Sequence, residues 1–293
     1  MLNFSRDKFI QRFNTLTNII LILTYIIAFL MINNILILAI ILISLILLAK
    51  VNKIHKEVFA FFRFSVFIAL IIIIFNLLIN KNGETQIFII GDFYITLESF
   101  YYSLFMASRL IAIMMTFAFG NLIINPDDAF SIISKIFGKS SLVMSLVYRL
   151  SFSLIKQINN IKEIEFIRGN TFKGNLYKRI KSYGEVVNIL FLSSLEDSIE
   201  LAEAMYSRGY GSTKRSSFKN QNFNFRDYVI ILMCTISIAF LIGQLILGLN
   251  SFKFFPKIDS PLKKITVYEI IILFVFYSIV FVNWWWINGN DKN

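Results

Sequence analysis

Cysteine and histidine are all but missing from this chain: Cys234 and His55 stand alone in 293 residues. Their scarcity excludes an internal disulfide, a Cys/His zinc site and a Cys-His nucleophile pair. Acids are few as well, 18 against 29 Lys and Arg, and Asp127-Asp128 is the only adjacent acidic pair near a membrane edge. Following Pro126, that pair reads as a helix start rather than as acid-base machinery. No stretch reads Gly-x-x-x-x-Gly-Lys-Ser/Thr, so the loop that cradles nucleotide phosphates is missing. Charged residues make up only 16%, where soluble domains carry about 25%. An ordinary soluble domain is excluded.

What fills the chain is apolar: 57% of its residues are hydrophobic, in runs such as 64–78 and 229–247. Crossing a hydrocarbon layer of about 30 Å takes roughly 20 such residues. The pattern predicts about six spans, near 17–32, 35–49, 58–79, 96–124, 228–249 and 266–287. The first two are short, and Asn33-Asn34 between them reads as a tight turn. Residues 81–94, with Gly83 and Gly91, read as a short hairpin or irregular loop. Trp284-Trp285-Trp286 suits an interfacial aromatic belt.

The first run follows a basic stretch (Arg6, Lys8, Arg12) without a small-residue cleavage site, and is expected to remain as an anchor. Basic residues set the orientation: with the N-terminus inside, Lys50–Lys56 and the whole of 125–227 lie inside too. One loop objects, because 251–264 carries Lys253, Lys257, Lys263 and Lys264 and would face outward. A net charge of +11 is explained by such cytoplasmic loops and does not call for nucleic acid. Arg109, deep in the fourth span, is costly there and is expected to serve as a structural partner, since no acid at matching depth suggests an ion path.

The one long polar stretch holds two Arg-Gly pairs, Arg168-Gly169 and Arg208-Gly209, each closing a helix-patterned segment. In the second, Leu195, Ile199, Ala202 and Tyr206 share a face, opposite Glu196, Asp197, Glu200 and Glu203. In the first, Leu154, Ile158, Ile161 and Ile164 oppose Lys156, Asn159, Asn160 and Glu163, with Glu165 breaking the apolar side. Arg in a last turn followed by Gly is also how an ordinary helix ends. Two such ends between membrane spans ask for more than termination.

These residues resemble the transmembrane (T) component of energy-coupling factor transporters, the CbiQ/EcfT family. Its signature is a pair of Ala-Arg-Gly-like triplets ending two cytoplasmic coupling helices. The matching triplets here are Ile167-Arg168-Gly169 and Ser207-Arg208-Gly209. The run from Ser193-Ser194-Leu195 through Ala202-Glu203-Ala204-Met205 to Gly209-Tyr210-Gly211 is similar to the family's approach to its second triplet. Pro126-Asp127-Asp128 with Ile132, Ile136 and Gly138 resembles its step from membrane to cytoplasm, and Arg149-Leu150 resembles the start of its first coupling helix. Both triplets lack the leading Ala, and Asn14-Thr15-Leu16-Thr17 stands where a Pro is usual.

The resemblance implies an all-α polytopic membrane protein with about six transmembrane helices and a long cytoplasmic helical coupling segment. Its parts are membrane helices in 1–124, the coupling segment in 125–227, membrane helices in 228–287 and a tail of 288–293. The implied function is non-catalytic: the permease subunit of an ATP-driven importer in a bacterial or archaeal cell membrane, both termini cytoplasmic, linking two ABC-type ATPase subunits to a substrate-binding S component for vitamin or transition-metal-ion uptake. ATP belongs to the partners, and this chain is expected to hold no cofactor or metal. The two triplets would dock the ATPases. The faces Leu154, Ile158, Ile161 and Leu195, Ile199, Ala202, Tyr206 would pack the coupling helices on each other or on the S component. Two other classes stay in view: a membrane-embedded transferase, which needs paired acids at membrane depth that the spans lack, and a stand-alone channel or scaffold whose polar segment rests on lipid.

Overall fold

The computed structural model describes residues 13–80, 85–90, 93–124, 128–129, 132, 140–170, 172, 174–209, 223–248 and 266–290. Within them lie eight helices and one hairpin: α1 (Thr15–Met31), α2 (Ile35–Val51), α3 (His55–Ile79), β1 (Gln86–Ile90), β2 (Phe93–Thr96), α4 (Leu97–Ile123), α5 (Ser140–Ile167), α6 (Leu176–Ser207), α7 (Phe225–Ile246) and α8 (Val267–Asn290). The chain is an all-α polytopic membrane protein whose only described strands form the small antiparallel pair β1–β2. Helices α3, α4, α7 and α8 are long and apolar enough to cross a membrane. At 17 residues each, α1 and α2 are apolar but reach only about 26 Å. The expected basic start at Arg6–Arg12, the stop at Asn125–Asp127, the residues Ile136 and Gly138, the Tyr210-Gly211 pair and the 251–264 loop lie outside the described residues.

The chain divides into two compact units, one of residues 1–129 with 221–293 and one of 130–220. In the first, α1 packs on α4 and α7, α2 on α8 and α4, α3 on α4, and α7 on α8. Its core joins Tyr25 and Phe29 of α1, Leu38, Ile41 and Leu45 of α2, Phe119 of α4, Cys234 of α7 and Phe276 of α8. The Tyr25 and Phe276 rings meet edge-on at 4.6 Å, and the Tyr25 hydroxyl lies 3.2 Å from Ser44 Oγ. Lipid tails are as apolar as these side chains, so close backbone approach rather than water exclusion holds such helices together. Gly120 supplies it between α4 and α1: a Cβ there would sit 2.9 Å from Ile22 Cδ1. On α3 the aromatic rings point outward, with Phe59, Phe64 and Phe67 each at least 60% exposed, as a lipid-facing helix allows.

Polar groups inside this unit are answered locally, because hydrocarbon offers no partners. Ser44, Ser65, Ser103, Thr116 and Ser237 return their hydroxyls to carbonyls three or four residues earlier. The Asn33-Asn34 turn forms as expected, and Asn34 caps α2 by accepting from the Leu36 amide at 3.1 Å. Arg109 closes the same corner. Its Nη2 donates to the Ile32 carbonyl at the end of α1 (2.7 Å) and to Asn33 Oδ1 (2.9 Å), and its guanidinium lies 4.5 Å from the Phe105 ring centre. A cation suits the negative end of a helix. The structural reading of Arg109 matches these contacts.

A second polar junction has no counterpart in the sequence reading. Asp227, 1% exposed in the first turn of α7, accepts from the Asn14 amide and the Thr17 hydroxyl of α1, each at 3.0 Å, and from the Asn224 amide at 2.9 Å. One carboxylate thus serves the positive ends of two helices. It also brings the N-terminal ends of α1 and α7 together.

Candidate functional site

The second unit is built on α5 and α6, of 28 and 32 residues. Asn175 starts α6 by accepting from the Leu176 amide at 3.0 Å. Both helices are longer than the periodic segments legible in the sequence. They touch through polar as well as apolar groups: Gln157 Nε2 donates to Asp197 Oδ2 at 2.8 Å, and the Lys162 ammonium lies 5.1 Å from the Tyr183 ring centre. Between them runs an open groove of about 510 Å³, lined among others by Leu154, Gln157, Ser194, Asp197 and Leu201.

Both Arg-Gly pairs sit at helix ends. After Ile167, the Gly169 amide donates to the Phe166 carbonyl (3.1 Å) and the Asn170 amide to the Glu165 carbonyl (3.0 Å), with Gly169 at φ 91°. This is the double-bond left-handed termination that glycine accepts without strain. After Ser207, the Gly209 amide donates to the Tyr206 carbonyl at 2.9 Å with φ 70°. Each glycine is therefore left-handed directly after the arginine, and each arginine is left on the outside.

The two ends differ in what the arginine touches. Arg168 Nη1 pairs with Glu165 Oε1 at 2.9 Å; the arginine side chain is 66% exposed and the glutamate 7%. Asn170 Nδ2 donates to Glu165 Oε2 and to Glu185 Oε2 of α6, so that this corner is tied across both helices. Glu165, which breaks the apolar pattern in the sequence, is buried here as the anchor of α5 on α6. The i,i+3 spacing of Glu165 and Arg168 is the one signal that could have indicated it. Arg208 is exposed and, among the described residues, its side chain has no hydrogen bond or ion pair. Ile167 is 84% exposed, and Ser207 returns its hydroxyl to the Glu203 carbonyl at 2.9 Å.

Of the expected packing residues, Leu154, Ile158 and Ile161 are half-buried on α5. Leu195, Ile199, Ala202 and Tyr206 do not face α5; all four are exposed. The reason is the helix phase. Val186, Asp197 and Leu201 turn toward α5, which leaves Leu195, Ile199, Ala202 and Tyr206 on another side of the helix. Among the described residues no group of three or more His, Cys, Asp or Glu side chains could hold a metal ion.

The profile of the CbiQ family, described as cobalt transport protein, matches residues 6–219. This chain belongs to the CbiQ family. Curated relatives agree with that membership; among them are energy-coupling factor transporter transmembrane proteins named EcfT. The one from Bacillus selenitireducens is 29% identical over 110 residues, covering 37% of this chain and 41% of the relative. The one from Staphylococcus aureus is 30% identical over 149 residues, 47% of this chain and 54% of the relative. The match to the Streptococcus thermophilus protein is longer, 28% identity over 239 residues, 77% of this chain and 90% of the relative. The chain thus spans about half the length of the first two. Both Arg-Gly helix ends fall inside the CbiQ-matched region.

Proposed function

We propose that this CbiQ-family chain is the coupling subunit of an energy-coupling factor importer, non-catalytic itself, joining two cytoplasmic ATPase subunits to a membrane-embedded S component that binds a vitamin or transition-metal ion. Both termini and the second unit lie in the cytoplasm of a bacterial or archaeal cell. Ile167-Arg168-Gly169 and Ser207-Arg208-Gly209 dock one ATPase each. The observation that carries this is the pair of long helices that each end in an exposed arginine followed by a left-handed glycine. The planar guanidinium pairs with a carboxylate through two parallel bonds and stays charged when partly desolvated. When the ATPases close on ATP, they would drive α5 and α6 relative to each other as rigid bodies, and the spans would pass that shift to the S component.

The deciding experiment replaces Arg208 by Glu and follows ATPase co-purification and substrate uptake. Stranding the partner of a buried charge pair costs about 2–5 kcal/mol of binding, and reversal adds repulsion. The expected outcome is an ATPase lost from the complex, or ATP hydrolysis without uptake, in a chain still folded in the membrane. A cation that only finishes a helix is worth about 0.3–1 kcal/mol. Normal co-purification and uptake in both Arg208→Glu and Arg168→Glu would end the docking role.

A further inference from the structure

Helix α6 is continuous over 32 residues and its charge is segregated along its length. The far end carries Glu196, Asp197, Glu200 and Glu203, whereas the first turns carry Lys178, Arg179 and Lys181, all exposed, with no acid before Glu185. Glu185 itself accepts from Asn170. Three cations in the first two turns stand against the positive end of the helix dipole, an arrangement that costs stability unless an anion answers it. Beside them the helix shows an apolar strip: Leu176 is 73% exposed, Tyr177 78%, Ile180 71% and Val187 61%. At about 100° per residue, Leu176, Ile180 and Val187 fall within about 40° of one another, and Arg179 and Lys181 flank Ile180 on its two sides. Apolar side chains bracketed by long cations that can reach outward are the pattern of a helix lying in a headgroup layer.

We propose that the first three turns of α6, residues 176–187, bind the anionic phospholipid surface of the membrane that the chain itself spans. Leu176, Ile180 and Val187 enter the headgroup boundary, while Arg179 and Lys181 to either side of them pair with lipid phosphates. The acidic far end is repelled from the same surface, so α6 is held by one end only. Lipid binding here does not depend on the coupling role proposed above, because the chain enters and leaves this unit through its own membrane helices.

The test uses the full chain with Cys234→Ser and an environment-sensitive fluorophore on Ile180→Cys, in nanodiscs of phosphatidylcholine with or without phosphatidylglycerol, and without ATPases. The same label on Tyr206→Cys serves as the control for the acidic end. The expected result is blue-shifted emission at position 180, quenched by nitroxide-bearing phosphatidylglycerol, only in the anionic discs. Each cation contributes about fivefold to the partition, so the Arg179→Gln, Lys181→Gln double variant should lose the shift while position 206 stays in water throughout. Three results overturn the proposal: a water-like label in both disc types, equal burial in neutral and anionic discs, or shielding that appears only when ATPases are added. The last would make this end of α6 a protein contact, and leaves the coupling role standing.

Discussion

At the scale of single residues, Arg109 decides between a structural and a transporting use of a membrane cation. Its guanidinium closes the end of α1 and the Asn33 turn and rests on Phe105. Hydrogen bonds to charged groups are worth about 1.5–3 kcal/mol each. Arg109→Met is therefore expected to lower thermal stability in detergent by about that much and to leave uptake intact in whatever chain remains folded. Unchanged melting with abolished uptake would assign Arg109 to the transport path instead. The arginines at the helix ends carry a different expectation. Arg168→Glu places a second carboxylate beside the buried Glu165 and should destabilise the α5–α6 corner. Arg208→Glu has no such neighbour pair, so its melting should stay within about 0.5 kcal/mol of the parent. Equal destabilisation of the two would contradict the asymmetry of the two ends.

At the scale of elements, the spans are readable because lipid imposes one simple demand, a long apolar run. Expected bounds near 58–79 and 96–124 fall within a few residues of α3 and α4 for that reason. The Asn33-Asn34 turn is readable from its turn residues, and the β1–β2 pair overlaps the 81–94 stretch that reads as a short hairpin or irregular loop. The faces of α6 are not. Periodicity finds a helix and its apolar side, but it cannot say which side meets a neighbour, and Leu195, Ile199 and Tyr206 lie away from α5. Glu165 and Asp227 escape for a related reason. A buried carboxylate looks like a surface one until its donors, Asn170 and Arg168 or Asn14 and Thr17, are seen to converge. Asp227→Ala removes three acceptor contacts at once and is expected to cost more than about 2 kcal/mol. Asp227→Asn, keeping one carbonyl acceptor, should fall between. Parent-like melting of the alanine variant would show that α1 and α7 hold together without it.

At the scale of the whole molecule, the second unit is inserted between α4 and α7 of the first. The stretches before and after it in sequence both belong to the first unit, so labelling within it tests the proposed topology. With Cys234→Ser as background, cysteines placed at positions 188 and 215 should react with a membrane-permeant maleimide in intact cells and resist an impermeant one. Labelling of either by the impermeant reagent would invert the topology, and with it the side from which ATPases could reach Arg168 and Arg208.

The junction at Asp227 also sets a timetable. Asn14 and Thr17 stand more than 200 residues upstream of the carboxylate that receives them. At a synthesis rate of about 5–20 residues per second, the start of α1 waits for something like 10–40 s after leaving the ribosome before its partner exists. During that interval the Asn14 amide and the Thr17 hydroxyl at the start of this 17-residue helix go without Asp227. Although α1 already packs on α4, its N-terminal end gains this junction only once α7 is made.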